Sequence, residues 1–163
     1  MAAKEDDLLP QPKSAAGEVA WDAATLARFV RGEVTLAELE GVDGDSQGKL
    51  AQLGYRLLSS GKLIEARSVF EGLVALNPKE AYFLVAAGAV AQREGRNEDA
   101  ERWYSLALER DSDHLAARAN RGEVRVMLSR IAEATEDLVH AVTLDPQARE
   151  PNTVRARGLL VEL

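Results

Sequence analysis

GYRLLSSGKLIEARSVF, residues 54–70, returns at a fixed distance as GAVAQREGRNEDAERWY at 88–104 and as GEVRVMLSRIAEATEDL at 122–138. The period is 34 residues, and four columns carry it: Gly54, Gly88 and Gly122; Ala66, Ala100 and Ala134; Phe70, Tyr104 and Leu138; Pro78, Ser112 and Pro146. A unit of this length is one helical hairpin, which cannot bury its own apolar face and must stack on its neighbours. The residue types make geometric sense. Gly in the first helix lets a second helix approach closely, and the small Ala twelve residues on receives it. The aromatic or Leu one helical turn further fills the space between units.

This spacing resembles the tetratricopeptide repeat, with repeat one at 47–80, repeat two at 81–114 and repeat three at 115–148. The resemblance implies an all-α fold, three hairpins in a short right-handed solenoid. The turns inside the first two hairpins read Ser60-Gly61-Lys62 and Glu94-Gly95-Arg96, where Gly takes the left-handed geometry that ends a helix. The third reads Ser129-Arg130 and lacks that Gly. Each second helix closes at Asn77-Pro78, Asp111-Ser112 or Asp145-Pro146, residues that cap a following helix or cannot continue the old one.

Composition agrees with one domain. The 163 residues are 46% hydrophobic, enough for a continuous helical core. The absence of Cys removes disulfides and thiolate chemistry and fits a reducing compartment, with the cytoplasm as the expected location. No apolar run approaches the length needed to span a bilayer, and the opening MAAKEDDLLPQPKSAAGE is acidic and unlike a signal peptide. Residues 1–17 are expected to be a disordered acidic tail. A net charge of −7 opposes attraction to nucleic acid and to anionic lipid.

The residues available for chemistry are few. His114 and His140 are the only imidazoles and have no paired His or Cys at ligand spacing. The Ser residues carry no nucleophile-elbow signature. Gly61-Lys62 follows Gly54 at the wrong distance for a phosphate-binding loop. The expectation is a binding protein without catalysis, metal or cofactor.

Stacked hairpins curve so that their first helices line the inner surface. By resemblance to the family, the second, fifth, ninth and twelfth residues of each repeat face that groove. They are Gly48, Ala51, Tyr55 and Leu58; Tyr82, Val85, Ala89 and Gln92; and Ala116, Ala119, Glu123 and Val126. The floor is mostly apolar, with two tyrosines set into it, which suits an extended peptide that inserts aliphatic side chains. The alternative is that Ala51, Ala89 and Ala119 pack helix against helix while the tyrosines sit partly exposed. A subclass of these repeats that grips terminal carboxylates uses Lys and Asn where this chain has Ala51 and Tyr55, which disfavours that ligand.

Ahead of the repeats, residues 18–46 form a predicted N-terminal helical segment of two short amphipathic pieces joined at Gly32, one with Leu26, Phe29 and Val30, the other with Leu36 and Leu39. The string Phe29, Gly32, Thr35, Leu36, Leu39, placed before three such repeats, resembles the class II chaperones of bacterial type III secretion systems. The stretch from Gly54 through Gly61-Lys62, Glu65-Ala66 and Phe70 is similar to their first repeat. That resemblance implies a cytoplasmic chaperone holding a hydrophobic secreted translocator soluble before export, often as a homodimer joined through the N-terminal segment, without inserting into a membrane itself. The N-terminal apolar residues suit both self-association and capping of the first repeat's edge, and the two roles are compatible. At the other end, residues 149–163 are expected to form a capping helix carrying Val154, Leu159, Leu160 and Val161. The alternative function is a tetratricopeptide scaffold in some other assembly.

Repeat three departs from the pattern. Its fourth, seventh and eleventh residues, normally large and apolar, are Arg118, Arg121 and Arg125. They suit either an acidic client segment or a structural role in which their stems cover apolar surface and their heads pair with Glu101 or Glu133. Trp103, beside Tyr104, is expected to fill space between helices.

Overall fold

The structure, a computed structural model, describes residues 22–163. The expected tail and the first residues of the N-terminal segment lie outside the described residues. Within them the chain is helical throughout: α1 (Ala23–Val30), α2 (Leu36–Glu40), α3 (Gly44–Ser59), α4 (Leu63–Leu76), α5 (Ala81–Arg93), α6 (Asn97–Arg110), α7 (Leu115–Met127), α8 (Ile131–Leu144) and α9 (Pro151–Glu162). Helices α3/α4, α5/α6 and α7/α8 are the three hairpins, each stacked on the next, and α9 packs on α7 and α8.

The glycine column is a steric requirement. A Cβ at Gly54 would lie 2.7 Å from the Phe70 ring, at Gly88 2.6 Å from the Tyr104 ring, and at Gly122 2.7 Å from Leu138. Phe70, Tyr104 and Leu138 are fully buried, so none can move aside, and the paired Ala66, Ala100 and Ala134 are fully buried too. Each hairpin is closed by its own large residue seated on its own glycine.

The hairpin turns repeat as well. Gly61 and Gly95 both adopt φ +75°, and Ser129 adopts φ +61° at the same position. Repeat three therefore keeps the left-handed turn without the residue that adopts it freely, at a cost of about 1–2 kcal/mol. A longer connection leads from α8 to α9. The Asp145 carboxylate accepts from the Glu150 N–H at 2.9 Å, and this bond holds the acid below the usual carboxylate range.

In the N-terminal segment, Gly32 at φ +71° breaks α1 from α2, and Thr35 opens α2 with a reciprocal capping box to Glu38. Leu39, Ala37 and Val34 are buried and α2 packs on α4. The α1 stripe behaves differently: Leu26 is 41%, Phe29 38% and Val30 83% exposed, while Leu36 is half-buried. Leu50 and Leu53 on α3 are also exposed. The stripe therefore does not seal the edge of the first repeat, and most of the segment's burial is supplied by α2 and the Val34 before it, with only Thr25 buried on α1.

Candidate functional site: a furrow between the first helices

The groove-facing positions fall into three groups. Gly48, Ala51 and Tyr82 converge on an open cavity of 470 Å³ between α3 and α5, lined also by Gln47, Asn77 and Phe83. Tyr82 sits in the first turn of α5, where the Glu80 carboxylate accepts from its backbone N–H at 3.2 Å. Its ring, 44% exposed, lies 5.7 Å from that of Tyr55, which in turn meets Phe70 edge to face at 5.1 Å. Tyr55 is half-buried, and that burial pushes its phenol above the ordinary range. Tyr55 thus meets the core residue of repeat one, and Tyr82 leans on Tyr55 and on Phe83 at 6.1 Å, so this part of the furrow wall is aromatic.

A second group is spent on packing. Leu58, Val85 and Ala119 are buried, as is Ala51 apart from the face it turns to the cavity. The expectation that Leu58, Val85 and Ala119 present groove surface is corrected accordingly. Leu58 lies in a core cluster with Phe83, Ala86 and Val90 of α5, and Val85 in one with Ala117 and Val124 of α7, so these compact side chains serve packing between helices. For Ala119 the packing alternative holds, and its cluster includes Leu138, Ala141 and Ala156 of α9.

The third group is half-buried and already partnered, or lies along the inner edge. Gln92 accepts from the Tyr104 hydroxyl at 2.9 Å. Glu123 forms an ion pair with Arg155 of α9 at 3.0 Å, and Val126 packs against the same α9 cluster. Ala89 and Ala116 are half-buried. The open part of the furrow is therefore concentrated at repeats one and two, because α9 engages the inner face of repeat three.

The arginine stripe has a structural role, with a partner that the sequence reading did not name. Asp137 on α8 is almost wholly buried and accepts from Arg118 at 3.1 Å, from Arg121 at 2.7 and 2.8 Å, and from Arg125 at 2.9 Å. Arg125 also reaches Glu101 at 2.9 Å and Glu133 at 3.4 Å, and Arg121 donates to the Ser105 hydroxyl at 3.0 Å. With these guanidinium groups engaged by protein acceptors, the cluster is an internal joint. The missed signal was Asp137 itself, one residue before the core Leu138 and one helical turn after Glu133.

The two histidines also have structural places. His114 caps α7 through its Nδ1, and His140 faces Asp113 at 3.4 Å. Trp103 is half-buried against the cores of repeats one and two, as expected of a filler.

No family model matches the chain. Cellulose synthase operon protein C of Komagataeibacter xylinus is 33% identical over 81 residues, and DnaJ homolog subfamily C member 3 of Rattus norvegicus 29% over 119. The matches cover 50% and 72% of this chain but only 6% and 23% of those much longer proteins. Low calcium response locus protein H of Yersinia pseudotuberculosis is 27% identical over 128 residues, 77% of this chain and 76% of that protein. Among solved structures, a type III secretion complex from Aeromonas hydrophila aligns with a TM-score of 0.75 and 27% identity over 85% of this chain and 93% of that one. The Yersinia enterocolitica translocator chaperone SycD aligns with a TM-score of 0.72 and 25% identity over 80% and 98%. SycD bound to a peptide of the translocator YopD aligns at 0.66 and 25% over 74% and 94%. The chain has a tetratricopeptide-like fold of stacked helical hairpins and resembles, in fold and in sequence, the class II translocator chaperones of type III secretion.

Proposed function

We propose that this protein is a cytoplasmic chaperone that takes an extended segment of a hydrophobic type III secretion translocator into its concave furrow and keeps that client soluble before export. The observation that carries the reading is the open, aromatic-walled furrow at Gly48, Ala51 and Tyr82, on a scaffold that aligns over 98% of the SycD chain at 25% identity. A 470 Å³ cavity accommodates one or two aliphatic side chains with their main chain. Binding of this kind uses contact area and desolvation, and it calls for neither catalysis nor a cofactor. A net charge of −7 on the chaperone supports solubility of a complex with an apolar client. Among the described residues no helix is long and apolar enough to cross a membrane. The exposed stripe of Leu26, Phe29 and Val30 is available for self-association.

Co-expression with the hydrophobic translocators of the same bacterium tests the reading. The expected result is that at least one translocator moves from the pellet to the soluble fraction and co-purifies with the chaperone. Recovery of none, together with capture of a soluble partner that is not secreted, would favour a scaffold in another assembly.

A further inference from the structure

The cavity at Tyr82 does not end at Gln47. A second cavity, also 470 Å³, lies on the far side between α2, the start of α3 and the α4–α5 turn, and the two share Gly44, Gln47 and Asn77. Gln47 and Asn77 form the ridge between them. Gln47 is nine-tenths buried and fixed at both ends, its Nε2 donating to the Val42 carbonyl at 2.9 Å and its Oε1 accepting from Asn77 Nδ2 at 3.2 Å. That orientation leaves Asn77 Oδ1 with no donor among the described residues. Gly44 and Gly48 beside the ridge expose bare main chain, since a Cβ at either would meet nothing within 4 Å.

The other repeats use this column differently. Asp111 and Asp145 stand where Asn77 does, and their carboxylates turn back to accept from their own loops, from Asp113 N–H at 3.2 Å and from Glu150 N–H at 2.9 Å. Only in repeat one is the side chain an amide, and only there is it held away from its own turn by a residue of the first helix. A half-buried carbonyl oxygen fixed in direction, between two cavities and flanked by side-chain-free backbone, is suited to one N–H of a passing main chain.

We infer that the Gln47–Asn77 amide pair is a main-chain anchor for the client. An extended segment crosses the ridge, places an apolar side chain beside Tyr82, donates one backbone N–H to Asn77 Oδ1, and continues into the second cavity. There Lys79, exposed and with its ammonium on the Glu33 carbonyl at 3.3 Å, offers polar contact. This inference rests on the furrow being the client site. It adds a specificity element: the residue at the ridge must carry an N–H, so proline is excluded at that one place.

The test uses a panel of labelled chaperone-binding peptides from YopD, PopB and PopD, with affinity measured by fluorescence anisotropy on the full chain. The peptide that binds best is then methylated at one backbone nitrogen at a time. The expected result is a single position where N-methylation weakens binding to the wild type by roughly 5–10-fold and has no effect on Asn77→Ala, whose helical content and melting serve as the fold control. Equal N-methylation penalties in wild type and Asn77→Ala at every position would overturn the anchor. If Tyr82→Ala still weakens the peptide in that case, the furrow reading survives the loss. Failure of the whole panel to bind the wild type would overturn the furrow reading and the anchor with it.

Discussion

The fourth, seventh and eleventh residues of each repeat occupy one structural column, and the three repeats fill it in three ways. In repeat two, Leu84, Ala87 and Ala91 are buried, Ala87 in the core cluster of repeat one and Leu84 and Ala91 in the cluster shared by repeats two and three. In repeat one, Leu50 and Leu53 have no preceding hairpin and stand exposed, while Leu57 is half-buried against the core of its own repeat. In repeat three, Arg118, Arg121 and Arg125 have a preceding hairpin and enclose the buried Asp137. The comparison teaches that a solenoid position fixes how much a residue is covered, while its chemistry follows from what covers it. A stripe of charge at helical spacing is core when one acid on a neighbouring helix meets it.

The largest effect expected from this comparison is on the charged column. Asp137→Asn leaves three covered guanidinium groups without their shared carboxylate and is expected to cost about 3–5 kcal/mol, read as a lower denaturation midpoint. Copying the columns of the other repeats, with Arg118→Leu, Arg121→Ala, Arg125→Ala and Asp137→Val together, is expected to be near neutral or stabilising by about 1–4 kcal/mol. Arg130, which pairs with Glu101 at 2.6 Å, is left in place in that variant. A mild effect of Asp137→Asn alone would break the account of the joint.

The glycine column is the opposite case, identical in all three repeats because the space is identical. Gly88→Ala drives a methyl group into the Tyr104 ring at 2.6 Å and is expected to cost about 2–3 kcal/mol, again read from denaturation. A neutral Gly88→Ala would mean that the hairpins can part more easily than their close packing implies.

The turn column lies between these extremes. Ser129 adopts φ +61° where Gly61 and Gly95 do so freely, so Ser129→Gly is expected to stabilise by about 0.5–1 kcal/mol after the added freedom of the unfolded chain is deducted. Smallest of all, Leu53→Gln on the uncovered face of α3 is expected to change stability by less than about 0.5 kcal/mol. A larger loss there would show that something covers the first repeat's edge in solution, and sedimentation would tell whether it is a second copy.

Much of the fold was legible because the repeat reports a recurring contact. Gly54, Gly88 and Gly122 read in the sequence as points of close helix approach and are so in the structure, but the residues that meet them are Phe70, Tyr104 and Leu138 of their own hairpins, where the sequence reading sets the Ala column against the glycine. The arginine network was only half legible. Glu101 and Glu133 stood out as partners by spacing, whereas Asp137 sits among ordinary helix residues and reveals itself only when α7 and α8 are placed side by side. The groove was legible as a set of positions but not as a surface. The family resemblance says which residues face inward and not which of them neighbouring helices cover, so Leu58, Val85 and Ala119 read as open in the sequence and are sealed in the structure. Gln47 and Asn77 escaped for a related reason. They are 30 positions apart, and neither belongs to a column that marks the groove.

The central claim is that the furrow at Gly48, Ala51 and Tyr82 holds the client. The most direct measurement is the affinity of a co-purifying translocator, or its chaperone-binding peptide, for Tyr82→Ala compared with wild type. The account predicts a loss of about 1–3 kcal/mol in binding with unchanged helical content and melting, since the Tyr82 ring is substantially exposed and its helix is capped through the backbone. Unchanged affinity in a folded Tyr82→Ala protein would contradict it.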